Sequence, residues 1–317
     1  MSVLAGLTDI IVPFLGMILM VGVGVLAAWQ GLLNQERITI LSEIVIVLIL
    51  PIFTFWTAAT NSVAAILNQA PWMVGLGLCS GLIGYGLATV FAWFARWEWP
   101  QRSVLQVSGV SGNTGFLGIP VCTALYGSQG TILAVLFDLG ASIYLLTLGL
   151  SVYQNNVQGH ASAQERFRLV IKQLVNPIFI ALILGMGLSL AGWQLPTVLQ
   201  MPFESLSYTA IPLMMIILGG IIYNSALQYS ADKRSVILLS FLKLIIMPGL
   251  IWLVVQLLPI TGTPRGVAVI EAAMPSAVMA VTFASRYKAD EKLAASATTI
   301  TTLLSILTLP IFAAIVH

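Results

Sequence analysis

The chain has 317 residues, of which 59% are hydrophobic and 8% charged, with 13 Lys and Arg against 11 Asp and Glu. A soluble domain carries about 25% charged residues, so this chain cannot cover a water-facing surface, and a net charge of +2 gives no reason to expect a nucleic-acid partner. Its mean hydropathy of +1.00 lies in runs of about 20 apolar residues without strand-like alternation, which indicates an all-α integral membrane protein in the lipid bilayer.

The opening "MSVLAGLTDIIVPF" has no Lys or Arg before its apolar run and carries Asp9. It therefore reads as a first span and not as a cleaved signal peptide. Ten segments reach the length of a hydrocarbon core: 8–29, 39–60, 72–95, 103–125, 129–153, 173–192, 207–226, 235–258, 264–286 and 293–316. The one long polar stretch is "QNNVQGHASAQERFRLVIK", residues 154–172. The odd-numbered loops hold Arg37; Arg96 and Arg102; Arg166, Arg168 and Lys172; Lys233 and Arg234; Arg286, Lys288 and Lys292. The even-numbered loops hold Arg265 alone. Basic residues stay on the cytoplasmic side, so both termini are expected outside and residues 154–172 in the cytoplasm.

Five spans on each side of that loop suggest a repeat: residues 1–153 and 173–317, joined by 154–172. Pro51 is matched by Pro212 and Asn113 by Pro275, at offsets of 161 and 162 residues. An odd number of spans per half makes the repeat inverted, giving ten transmembrane helices as 5+5.

Spans 4 and 9 carry the interruptions. Span 4 contains "SGNTGFLGIP", with Gly112, Gly115 and Gly118 at i, i+3 and i+6, and span 9 contains "EAAMPS". Asn113 and Pro275 each lie roughly 15 Å along their helix from opposite faces, which puts both breaks near the midplane. Taken singly, glycines on one face let helices approach closely, and a lone proline is a kink. As a matched pair they read as broken, crossing helices. Such breaks leave positive N–H ends for an anion and carbonyl ends for a cation.

Ionisable groups inside the spans are functional candidates. Asp138 lies near the middle of span 5. Lys243 in span 8 is read either as its structural partner or as snorkelling toward the cytoplasm. Glu43 reaches the interface, Cys79 and Cys122 read as small packing residues, and His160 and His317 lie outside the spans. Trp93, Trp97 and Trp99 form an interfacial belt.

"SGNTGFLGIPVCTALYG" (111–127), "EAAMPSAVMAVTFASRY" (271–287) and "LAASATTITTLLSILTLPIF" (293–312) resemble the auxin efflux carrier family, which includes plant auxin carriers and bacterial malate and malonate transporters. The short 154–172 loop resembles the bacterial branch, which implies the bacterial inner membrane. The resemblance implies a 5+5 inverted repeat with broken helices 4 and 9. It also implies a scaffold of helices 1, 2, 6 and 7, which often forms a homodimer, and a mobile core of helices 3–5 and 8–10 that moves as an elevator. Gly112-Asn113 stands where the plant carriers have Asn-Pro. More distantly, "EAAMPS" is similar to the helix 9 motif of sodium-coupled bile acid symporters, with Pro275 in place of their Gln. That likeness implies Na⁺ at Glu271 with the carbonyls of Ala272 and Met274, or a proton on Glu271.

The expected substrate set is Gly112, Asn113, Thr114, Met274, Pro275 and Ser276, with Glu271, Asp138 and Ser111 for ion coupling. The expected function is secondary transport of a small organic anion such as malate, malonate or an auxin-like acid, with Na⁺ or H⁺ as coupling ion and no other cofactor. No H-E-x-x-H, G-x-S-x-G or paired intramembrane aspartates point to an enzyme. The alternative is a membrane sensor or scaffold that keeps the transporter fold.

Overall fold

The computed structural model describes residues 3–154, 163–226 and 231–316; His160 and His317 lie outside the described residues. Regular structure among these residues is helical, apart from one isolated antiparallel bridge between Gly112 and Ser276. In chain order, leaving aside the single turn Ala64–Leu67, the helices are α1 (Val3–Trp29), α2 (Gln35–Thr60), α3 (Ala70–Ala95), α4 (Gln101–Ser108) and α5 (Thr114–Gln154). They continue as α6 (Ala163–Leu174), α7 (Pro177–Ala191), α8 (Thr197–Ala226) and α9 (Lys233–Gln256). The last three are α10 (Thr263–Ala272), α11 (Val278–Arg286) and α12 (Glu291–Val316).

Among the described residues, seven helices are long and apolar enough to cross a membrane. The count becomes eight if Phe167–Leu174 and Pro177–Ala191, bent by 47°, form one span. Ten such segments are expected from hydropathy, and the difference has two sources. Expected spans 4 and 5 share the 41-residue α5, which folds back at Gly127, where φ is 60° and ψ −147°. Expected span 9 is divided into α10 and α11, of ten and nine residues, each too short to cross alone.

Wide turns with i→i+5 hydrogen bonds interrupt these helices at Val45–Ile49, Thr114–Gly118, Leu145–Gly149 and Leu242–Ile246. Three of them precede a proline by two positions: Pro51, Pro120 and Pro248. A proline ring clashes with the carbonyl four residues back, here that of Val47, Phe116 or Leu244, each inside its wide turn. Widening that turn relieves the clash without ending the helix. The sequence thus carries its own instruction for where these helices loosen.

Close backbone approach defines the packing. A side chain at Gly24 would strike the carbonyl of Ile216, seating α1 on α8, and one at Gly185 would strike the carbonyl of Phe55, seating α7 on α2. Gly77 and Gly140 do the same between α3 and α5. Small residues serve this purpose in membranes, where lipid and side chain are equally apolar and packing must supply the attraction. A buried cluster around Tyr144, Tyr153, Leu239, Ala284 and Ala294 then ties α4, α5, α9, α11 and α12 together. Cys122 is buried as expected, but Cys79 is exposed on the outer face of α3.

Candidate functional site

α4 stops at Ser108 because Gly109 and Gly112 weaken continuation, and α10 stops at Ala272 because Pro275 can neither donate nor let Met274 stay helical. The two non-helical stretches meet. Asn113 donates its backbone N–H to the carbonyl of Pro275 at 2.7 Å, and Ala277 donates to Ser111 at 3.0 Å. With the Gly112–Ser276 bridge, they form one short antiparallel contact in which Asn113 faces Pro275. Each stretch thereby satisfies backbone groups that would be costly in hydrocarbon. Thr301 of α12 adds a further bond, its hydroxyl accepting from the Ser276 N–H at 3.1 Å.

Beside this contact lies a cavity of about 420 Å³. Two helix N-termini face it: Thr114, Gly115 and Phe116 at the start of α5, and Ala277, Val278 and Met279 at the start of α11. Apart from Ala277, whose N–H donates to Ser111, their first-turn N–H groups and positive dipole ends favour an anion. Asn113 adds a buried side-chain amide whose Nδ2 has no hydrogen-bond partner, and Ser111 a buried hydroxyl in the same condition. Most of the remaining wall is apolar, including Leu50, Phe137, Tyr144 and Met247. Met274, Pro275 and Ser276 are fully buried behind the wall, so of the expected substrate set only Gly112, Asn113 and Thr114 line the cavity.

Three ionisable side chains reach the same wall: Asp138, Lys243 and Glu271. Each lies against one glycine of the 112–118 series. A Cβ on Gly112 would sit 3.3 Å from the Lys243 Nζ, and one on Gly115 would sit 3.4 Å from Asp138 Oδ1. One on Gly118 would overlap the Glu271 carboxyl. The glycine spacing reads from sequence as a seam for a neighbouring helix. Its occupants are instead an ammonium and two carboxyl groups.

The partners of these groups differ from expectation. Asp138 accepts a short hydrogen bond from the Thr114 hydroxyl. Lys243 neither pairs with Asp138 nor snorkels: it is 1% exposed, and its Nζ donates to the carbonyl of Ala272 at 2.9 Å. Glu271 is fully buried, with Oε1 accepting from the Cys122 thiol at 3.5 Å and Oε2 unpartnered. No cluster of three or more His, Cys, Asp or Glu able to hold a metal occurs among the described residues. Sequence reasoning misses Thr301 and the Cys122–Glu271 contact. The hydroxyl-rich "TTITT" is the only signal for the former, and none exists for the latter.

Helix ends thus meet at an internal cavity of an apolar helical chain, and the comparison with known families decides to which family such a chain belongs. A model of the family described as "Membrane transport protein" matches residues 9–313. The chain belongs to this family. Among its relatives is an uncharacterized transporter of Methanothermobacter thermautotrophicus, 30% identical over 305 residues and covering 95% of this chain and 96% of the relative. An uncharacterized transporter of Methanocaldococcus jannaschii is 29% identical over 300 residues, covering 93% and 95%. A protein named auxin efflux carrier component 8, from Arabidopsis thaliana, is 23% identical over 220 residues, covering 55% and 60%. The membership of this chain in the membrane transport protein family covers both non-helical stretches and the whole cavity wall.

Proposed function

We propose that this membrane transport protein is a secondary carrier of a small organic anion with one carboxylate and an apolar body. The observation that carries the proposal is the cavity wall. Two helix N-termini and the unpartnered Asn113 amide offer donors for a single anionic group, and apolar side chains surround the rest. Lys243 is the one basic side chain among the described wall residues, facing two acidic ones. A second carboxylate, as in malate or malonate, would find no second basic side chain, only apolar surface, two acidic groups and the neutral polar side chains Ser42, Ser80, Ser142, Gln173 and Asn176, which replace its hydration less well than a charge would. The name of the Arabidopsis relative agrees with an acid that has an apolar body.

The carrier works by alternating access over a 5+5 inverted repeat of ten spans. Counting α5 as two spans folded at Gly127, α6 with α7 as one and α10 with α11 as one brings the seven long helices to ten spans. Contacts related by the repeat offset support this count. Gly24 packs on the Phe55 equivalent, Ile216, while Gly185, 161 residues after Gly24, packs on Phe55, which is 161 residues before Ile216. Thr114 bonds Asp138, and Ser276 bonds Thr301, at offsets of 162 and 163. The paired helices α1 with α8 and α2 with α7 act as scaffold, against which the helices bearing the breaks move. Ser42, Gln173 and Asn176 border the cavity beside the loop expected in the cytoplasm, which supports reading this state as inward-facing. Glu271 carries a coupling proton, since its buried Oε2 lacks a partner.

Counterflow in liposomes tests the reading. Protein-dependent exchange of labelled indole-3-acetate, faster than that of malate or malonate, is expected. Ligand-induced thermal stabilisation without exchange of any of the three would favour the sensor.

A further inference from the structure

The carbonyl end of α10 is the place where the likeness to sodium-coupled symporters implies sodium, with Glu271 and the carbonyls of Ala272 and Met274 as ligands. The residues present do not fit that ion. The Ala272 carbonyl already accepts from Lys243 Nζ at 2.9 Å. A sodium ion sharing this carbonyl would stand within a few ångströms of a buried ammonium, a repulsion that an interior of low polarity does little to screen.

The ammonium itself meets the physical demands on a cation at that point. It sits at the C-terminal end of α10, where unpaired carbonyls concentrate negative partial charge. Its Nζ also lies under Gly112, where a Cβ would be 3.3 Å away, so one charge touches both non-helical stretches. The wide turn Leu242–Ile246, which accommodates Pro248, carries Lys243 into this position. Gly112 leaves room for it; a side chain there would crowd Nζ.

We propose that Lys243 is the resident cation of the crossing: its ammonium fills the carbonyl site that sodium would need, and the carrier moves its anion without sodium. The inference rests on the carrier reading for its transport arm only. Lysine is covalently held, so it does not leave the site with the substrate and supplies no driving force from a sodium gradient. Its second role is to offset the negative charge that Asp138, an entering carboxylate and Glu271 without its proton bring to one cavity.

The test uses the full chain, purified, in two measurements. The first is indole-3-acetate counterflow in liposomes containing either sodium or choline chloride at about 150 mM, an ionic strength that screens surface charge equally. The second is thermal unfolding in detergent over the same two salts. Wild-type uptake within about twofold in the two salts, and an unchanged melting temperature, are expected. Lys243→Gln is expected to lose uptake at least about tenfold in choline and to acquire a sodium-specific rise in melting temperature. A wild-type rate that collapses without sodium, or a sodium-specific stabilisation of the wild type, overturns the proposal. So does wild-type transport by Lys243→Gln in choline. If Lys243→Gln fails to fold, the two wild-type measurements decide. If no carboxylate moves in either salt, the carrier reading falls, and the melting temperatures still decide on Lys243.

Discussion

Gly118 and Glu271 share one space: a Cβ on Gly118 would overlap both oxygens and the carboxyl carbon of Glu271. The carboxyl is fully buried there, and it joins α10 to the first turn of α5. Gly118→Ala must therefore push Glu271 aside or shift the backbone, at a cost of about 1–3 kcal/mol for overpacking. Thermal unfolding checks this. Combining Gly118→Ala with Glu271→Ala should recover about 0.5–3 kcal/mol relative to additivity, and strict additivity would deny the contact.

Asn113→Ala removes the buried, unpartnered amide from the cavity wall and leaves the backbone bond to Pro275 in place. Uptake of indole-3-acetate should fall by at least about tenfold with little change in melting temperature. Normal transport by this variant would remove Asn113 from the site.

Glu271→Gln keeps the size of the side chain and removes its capacity to gain and lose a proton. The dependence of uptake on an imposed pH gradient should disappear, while counterflow at equal pH persists. A variant that still responds to the gradient as the wild type does would clear Glu271 of coupling and direct attention to Asp138.

Thr301→Val leaves the Ser276 N–H without its acceptor in a fully buried place. An orphaned buried donor costs about 1–3 kcal/mol, so the melting temperature should drop and Thr301→Ser should restore most of it. Equal stability of Val and Ser at this position would show that the hydroxyl is not what holds the second stretch.

At the surface, Asp232 caps α9 by accepting from the backbone N–H of Ser235 and from its hydroxyl, both at 2.9 Å. These bonds hold its carboxyl below the ordinary aspartate value. A carboxyl with a lowered value in the folded state stabilises fully above its unfolded value, and that stabilisation is lost as the pH falls through the folded value. Asp232→Ala should melt below the wild type at neutral pH, and the gap should close in acid. A gap independent of pH would assign the effect to something other than the charged cap.

Length, apolarity and the absence of alternation were enough to establish a helical membrane protein, because a bilayer demands long apolar runs whatever surrounds them. The helix ends near Gly112 and Pro275 have local causes that the sequence displays, backbone sterics and a missing N–H. The wide turns before Pro51, Pro120 and Pro248 follow from the same local rule. What each interruption touches was not legible, since Asn113 and Pro275 lie 162 residues apart and nothing local says that one donates to the other. The same holds for the glycines at 112, 115 and 118. Spacing shows that they share a face, and only the assembled helices decide that Lys243, Asp138 and Glu271 fill it. Lys243 is the sharpest case. A lone lysine in an apolar span is locally compatible with snorkelling, with a carboxylate partner or with a backbone carbonyl. The choice belongs to the tertiary structure because burying an ammonium is tolerable only where an acceptor from another helix waits, here the open end of α10.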